Sequence, residues 1–138
     1  MDSLPWQQRW RALVDKLRVV GDPEDEQRLI ECLSKPKATT VLGFVNAHAM
    51  NLVAGGSDYY NALAAADVLL RDGSGMTILL RRLGLAPGLN MNGTDFIPKL
   101  LAAYKGRRVA FWGTEEPFLT SAARPYFWQM CFCRAWFC

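Results

Sequence analysis

Three short apolar runs, Thr39-Thr40-Val41-Leu42-Gly43-Phe44-Val45, Val68-Leu69-Leu70 and Val109-Ala110-Phe111-Trp112, alternate with longer stretches whose apolar residues recur at helical spacing. Such runs suit strands buried on both faces of a parallel sheet, and strand–helix alternation builds βαβ units with right-handed crossovers. The expected fold class is therefore α/β: a Rossmann-like, mostly parallel sheet with strands at about 39–45, 67–71 and 108–112 and helices on both faces. Leu4, Trp6, Trp10 and Leu13 suit an amphipathic helix, which Leu17, Val19 and Val20 either continue or leave for a strand. Asp22-Pro23-Glu24-Asp25 combines an N-cap, a first-turn proline and acids near the positive end of the dipole, predicting a helix over 23–34. A helix from Ala47 ends at Gly55-Gly56, and Ser57 or Asp58 caps the next. Asp72-Gly73-Ser74-Gly75 turns into a helix carrying Met76, Leu79 and Leu80 that stops at Gly84, and Thr94 or Asp95 caps one carrying Phe96 and Leu100.

A chain of 138 residues with 51% hydrophobic and 21% charged residues is one globular domain or part of a larger one. Sixteen basic against 13 acidic residues leave a net charge of +3, too small a surplus to argue for nucleic acid. Asn46, His48 and Asn51 interrupt one apolar stretch, and Asp67, Arg71 and Asp72 bound another, so no segment reaches membrane-spanning length. No basic region followed by an apolar core opens the chain, which makes the cytoplasm the expected setting. Cys131, Cys133 and Cys138 crowd the end of the chain, Cys32 stands alone, and His48 is the single histidine. That spacing suits neither a disulfide framework nor a zinc site, and Cys32 reads as a small apolar side chain on a helix face. Arg81-Arg82 and Arg107-Arg108 read as solvated faces, with a basic membrane-surface patch as the alternative.

Ligands of open parallel sheets bind beyond the carboxyl ends of the strands. That rule selects Asn46 to His48, Asp72 to Gly75, and Gly113 to Glu116. Asp72 follows an apolar strand and precedes two glycines, so a carboxylate reaches a substrate while bare backbone stays close to it; an ordinary Asp-Gly turn has the same pattern. Gly73-x-Gly75 lacks the third glycine of a dinucleotide fingerprint and no G-K-[ST] follows, so neither NAD nor a P-loop is supported. Asn92-Gly93-Thr94-Asp95 offers helix-start N–H groups to an anionic diphosphate, although a plain cap explains the same residues. A lone His48 is either a hydrogen-bond donor at a strand end or incidental.

The stretch from Phe44-Val45-Asn46-Ala47-His48 through Ala66-Asp67-Val68-Leu69-Leu70-Arg71-Asp72-Gly73-Ser74-Gly75 and Asn92-Gly93-Thr94-Asp95-Phe96 to Val109-Ala110-Phe111-Trp112-Gly113 resembles the WecG/TagA/CpsF glycosyltransferases, over roughly residues 38–117. The resemblance implies an inverting enzyme that moves a hexose from a nucleotide-sugar donor to a polyprenyl-diphosphate-linked sugar, for surface polysaccharide or teichoic acid assembly. Such an enzyme works peripherally at the inner face of the plasma membrane, and self-association is compatible with it. The resemblance makes Asp72 the catalytic base, places Asn46 and His48 in the sugar pocket, and gives Gly73, Ser74, Gly75, Asn92, Gly93, Thr94, Asp95 and Gly113 to substrate binding. The chain has no Asp-x-Asp pair, so no metal or other cofactor is expected and the leaving diphosphate falls to backbone dipoles and cations. Where many relatives carry an arginine before the G-T-D block, this chain has Asn90. A nucleotide-sugar binding module without turnover and another Rossmann-like nucleotide enzyme are the alternatives.

The family core continues well past the third strand, whereas 26 residues follow Trp112 here. The expected organisation is a glycosyltransferase-like domain over 1–117, with the C-terminal part of the fold missing, and an atypical tail over 118–138. The tail's aromatic and cysteine content reads as a shifted reading frame, with an interfacial anchor as the rival. The 138-residue chain is accordingly expected to be a poor or inactive enzyme on its own.

Overall fold

The computed structural model describes residues 4–112, 117–124 and 131–132. In chain order the elements are α1 (Trp6–Lys16), α2 (Pro23–Ser34), β1 (Leu42–Val45), α3 (Ala47–Gly55), α4 (Ser57–Ala64), β2 (Val68–Arg71), α5 (Gly73–Arg82), α6 (Gly93–Ala103), β3 (Arg108–Val109), α7 (Phe118–Ala123) and β4 (Cys131–Phe132). The fold is α/β, as the alternation of the sequence required.

Strands β1 and β2 pair in parallel, Leu42 opposite Val68 and Val45 opposite Arg71. Neighbouring residues of a strand point to opposite faces, and the core divides accordingly. Val45 and Leu69 pack with Leu13, Met50, Met76 and Leu80 beneath α1, α3 and α5. Leu70 packs on the other side with Leu29, Ile30 and Phe96 of α2 and α6. Helices thus cover both faces of the pair.

The ambiguity at Leu17 to Val20 resolves toward extended chain. The Arg18 N–H donates to the Leu69 carbonyl at 2.8 Å, so this segment lies along the edge of β2, and the Leu89 N–H in turn donates to the Val20 carbonyl at 2.7 Å. Gly88 makes that approach possible. Its φ is +60°, and a Cβ there would stand 2.2 Å from the Val20 carbonyl oxygen, too close for any side chain. The start of α2 is tied to the same segment. Asp22 caps it by accepting from the Asp25 N–H at 2.8 Å, and the Asp25 carboxylate accepts from the Gly21 N–H and pairs with Arg18 at 2.6 Å. The Gly21 N–H foremost, with Arg18 adding, holds the Asp25 carboxyl below the usual carboxylate range.

Several sequence expectations are corrected. The run 108–112 does not extend the β1–β2 sheet: β3 is two residues long and pairs in parallel with β4 as a separate sheet. Arg108 is exposed and Val109 only half-buried, so this segment lacks the two apolar faces that an interior strand needs. In consequence β1 is not a strand buried on both faces. Leu42, Gly43 and Phe44 remain partly exposed, Val41 is 51% exposed, and the strand begins only at Leu42. The N-cap of α4 is Gly56, which has no side chain to cap with, and Ser57 and Asp58 lie inside the first turn. Asn92, rather than Thr94 or Asp95, caps α6. Cys32 is an exposed free thiol of α2 instead of part of its apolar face. Gly84 stops α5 as expected: at φ +73° it lets the Leu85 N–H donate to the Leu80 carbonyl and its own N–H to that of Arg81, a Schellman motif. Among the described residues no helix is long and apolar enough to cross a membrane.

Candidate active site

Both strands of the main sheet end at one place. The Asp72 N–H donates to the Val45 carbonyl at 2.7 Å, which ties the end of β2 to the end of β1, and α3 and α5 begin immediately beyond. Two of the three regions selected by topology, Asn46 to His48 and Asp72 to Gly75, are thereby brought together. Gly113 to Glu116, the third, lies outside the described residues.

Asn46 and Asp72 hold equivalent positions but use their side chains differently. Asn46 caps α3, its Oδ1 accepting from the Ala49 N–H at 2.9 Å. Asp72 is the N-cap of α5 with extended backbone, yet its carboxylate makes no capping hydrogen bond. A half-buried carboxylate at a helix start normally accepts from the first turn, so Asp72 is left with its oxygens available to a ligand. Gly73 follows at φ +82°, a conformation that glycine alone adopts readily, and its N–H donates to Asn90 Oδ1 at 2.8 Å. Ser74 is exposed on the first turn of α5, and His48 on the first turn of α3.

Gly75 has a packing role of its own. A Cβ placed there would lie 2.7 Å from the Cβ of Ala47, so the starts of α3 and α5 touch closely at this point. Gly75→Ala is expected to cost about 1–2 kcal/mol by forcing the two helices apart, measured as a lowered midpoint of denaturant unfolding.

Beneath the turn lies a residue whose role the sequence did not reveal. Arg71 is only 4% exposed although it carries a charge. Its Nε donates to the Pro87 carbonyl at 2.6 Å, one terminal nitrogen to Gly88 at 2.8 Å, and the other to Thr77 Oγ1 at 2.9 Å and the Gly73 carbonyl at 3.3 Å. Burial pushes its pKa down, Arg81 adds to that and Asp72 opposes it, but a guanidinium remains a cation. Arg71 therefore fastens the loop over Pro87 and Gly88 to the start of α5 and leaves a buried positive charge behind Asp72. An arginine closing an apolar strand just before Asp-Gly was the available signal; by composition alone it reads as a solvent-facing strand end.

That fastened loop delivers the start of α6. Asn92 accepts from the Asp95 N–H at 2.8 Å and donates its amide to Asp95 Oδ2 at 2.7 Å, the plain cap weighed in the sequence. Gly93, Thr94 and Asp95 form the first turn, with Thr94 and Asp95 exposed. The Asn90–Gly73 bond connects this region to Asp72. From the site, a groove of about 280 Å³ runs between α1, α3 and α5, walled by Trp10, Met50, Met76, Ile78 and Arg82, with Ala47 and Gly75 at the strand end.

Parallel strands sandwiched by helices, with an uncapped carboxylate on a glycine turn at their carboxyl ends, define a Rossmann-like α/β domain, a class whose ligands bind at that end. Residues 14–127 match the family model described as the glycosyl transferase WecG/TagA/CpsF family, and the chain belongs to that family of glycosyltransferases. The match extends on both sides of the 38–117 stretch that carries the motifs. Comparison with curated proteins and with solved structures finds no match.

Proposed function

We propose that the chain moves a hexose from a nucleotide-sugar to a polyprenyl-diphosphate-linked sugar with inversion, at the inner face of the plasma membrane, in surface polysaccharide or teichoic acid assembly. The observation that carries this reading is the Asp72 carboxylate, held at the junction of β1, β2 and α5 without a capping bond. A nucleoside diphosphate is already a good leaving group, so in-line transfer needs chiefly one base to take the acceptor hydroxyl proton. Asp72 takes that proton as the acceptor oxygen attacks the anomeric carbon and the bond to the diphosphate breaks on the opposite side.

The other residues serve binding. Asn46 keeps its amide N–H₂ for a sugar hydroxyl while its oxygen caps α3, and His48 is exposed on the first turn of the same helix. The first turns of α5 and α6, with Gly73, Ser74, Gly75, Asn92, Gly93, Thr94 and Asp95, surround the diphosphate and sugar; Gly113, outside the described residues, is given the same role by the family resemblance alone. The positive end of α5 and the buried Arg71 charge offset the diphosphate's negative charge.

A binding module without turnover is favoured by one specific feature: Asn90, a neutral amide, occupies the Gly73 N–H. Two measurements separate these readings from each other and from a nucleotide enzyme of another kind. A uridine or guanosine diphosphate sugar at a hundredfold excess over its dissociation constant is expected to stabilise the fold by about 2.7 kcal/mol, whereas NAD leaves it unchanged. Stabilisation by NAD alone would overturn the proposal. Transfer of labelled sugar to a lipid-linked acceptor then distinguishes turnover from binding.

A further inference from the structure

The Asp72 carboxylate makes no capping bond, yet the two peptide groups that flank its residue are both held. The one before it carries the Asp72 N–H, which donates to the Val45 carbonyl at 2.7 Å. The one after it carries the Gly73 N–H, which donates to Asn90 Oδ1 at 2.8 Å. Together these bonds set the backbone angles of Asp72, φ −126° and ψ 132°, and with them the direction in which its side chain leaves the chain. The second bond has the more to decide. Gly73 stands at φ +82°, and because glycine accepts either sign of φ the peptide between Asp72 and Gly73 has a second orientation open to it. The bond to Asn90 selects the first.

Asn90 is placed for this by its neighbours in the chain. The Leu89 N–H is bonded to the Val20 carbonyl at 2.7 Å, and Met91 is buried in the cluster with Leu70 and Phe96. Between these two anchors Asn90 is exposed, and a hydrogen bond that water replaces readily adds little to stability. Its value lies in orientation. We infer that Asn90 is a positioning residue: its side-chain oxygen fixes the peptide of Gly73 and through it aims the Asp72 carboxylate beyond the strand ends. Arginine at this position could not do so, because a guanidinium has donors only and the Gly73 N–H needs an acceptor. The same bond that withholds the Gly73 N–H from a diphosphate thus gives Asp72 one direction.

The use of this alignment rests on the proton-acceptor role proposed above for Asp72, but the alignment itself is read without sugar transfer, so either proposal fails independently of the other. In the full 138-residue chain, isotopically labelled, NMR follows exchange of the Gly73 amide and the couplings that report φ at Asp72 and Gly73. Asn90→Ala is expected to speed Gly73 exchange about fivefold, the worth of one hydrogen bond, and to average those couplings while the denaturant midpoint stays in place. Asn90→Asp keeps an acceptor oxygen at the same reach and should restore both. Unchanged exchange or couplings in Asn90→Ala, no recovery in Asn90→Asp, or faster exchange at Leu89 with the Asp72 couplings unmoved would each overturn the inference, the last by making the bond a stitch for the loop. In a chain that transfers sugar, Asn90→Ala should lower kcat about ten- to a hundredfold with the donor KM held within about twofold. A raised KM with unchanged kcat would make Asn90 a donor contact and sink the positioning role. A parent chain that transfers nothing counts against turnover, and the couplings then decide the role of Asn90.

Discussion

Asp72→Asn is expected to lower sugar transfer by about 10² to 10⁴ while leaving donor binding unchanged and the unfolding midpoint only slightly lowered. The stability cost should be small because the carboxylate makes no capping hydrogen bond with α5 and asparagine suits both the extended backbone and the N-cap position, so that chiefly the attraction to the Arg71 cation is lost. The ordering role of this position also survives, since it rests on the Asp72 N–H and the Val45 carbonyl, which substitution leaves in place. Rate and stability are thus separable here, and a comparison of turnover, donor affinity and unfolding measures the role of the proton acceptor alone. In a chain that transfers sugar, an Asn variant as fast as its parent would make Asp72 a turn residue.

Arg71→Met is expected to produce the opposite pattern, destabilising the fold by about 3 kcal/mol. Methionine fills much of the arginine volume but leaves the carbonyls of Pro87 and Gly88 and the Thr77 hydroxyl without their donors in a buried place. Arg71→Lys should recover only part of the loss, because an ammonium on a flexible stem cannot reproduce a planar fork that bonds the Pro87–Gly88 loop and the start of α5 together. Denaturant unfolding gives the magnitude, and hydrogen exchange should show the change concentrated at Leu89 and its neighbours. A loss below about 1 kcal/mol would mean that the Val20–Leu89 bond and Gly88 hold the loop without Arg71.

Much of the fold was legible because its signals are local. The Asp22-Pro23-Glu24-Asp25 start of α2 and the Gly84 stop of α5 depend on residues within one turn of each other, and both lie where the sequence places them. The meeting of Asn46 and Asp72 was legible for a different reason, since parallel pairing forces successive strand ends to one edge. What failed depends on distant partners. Nothing near Arg108 shows that its strand pairs with Cys131–Phe132 instead of β1, and nothing near Leu17 decides between helix and strand until Leu69 and Leu89 are in place. Arg71 was missed for the same reason, because its partners at Pro87 and Gly88 follow it by 16 and 17 residues. Its burial becomes explicable only once that loop closes.

The Val20–Leu89 contact also sets an order of events for a chain emerging from synthesis. Residues 17 to 20 are made early, but the bond that locks their outer edge must wait for a residue nearly seventy positions later. Closing so long a loop is entropically costly and slows structure formation, so local helices such as α2 form first and the segment around Arg18 stays unsecured meanwhile. The loop beside Asp72 is set by that same late closure. The half-made chain therefore carries every residue of the Asp72 turn before the residues that fasten the neighbouring loop, Gly88 to Asn90, have been made.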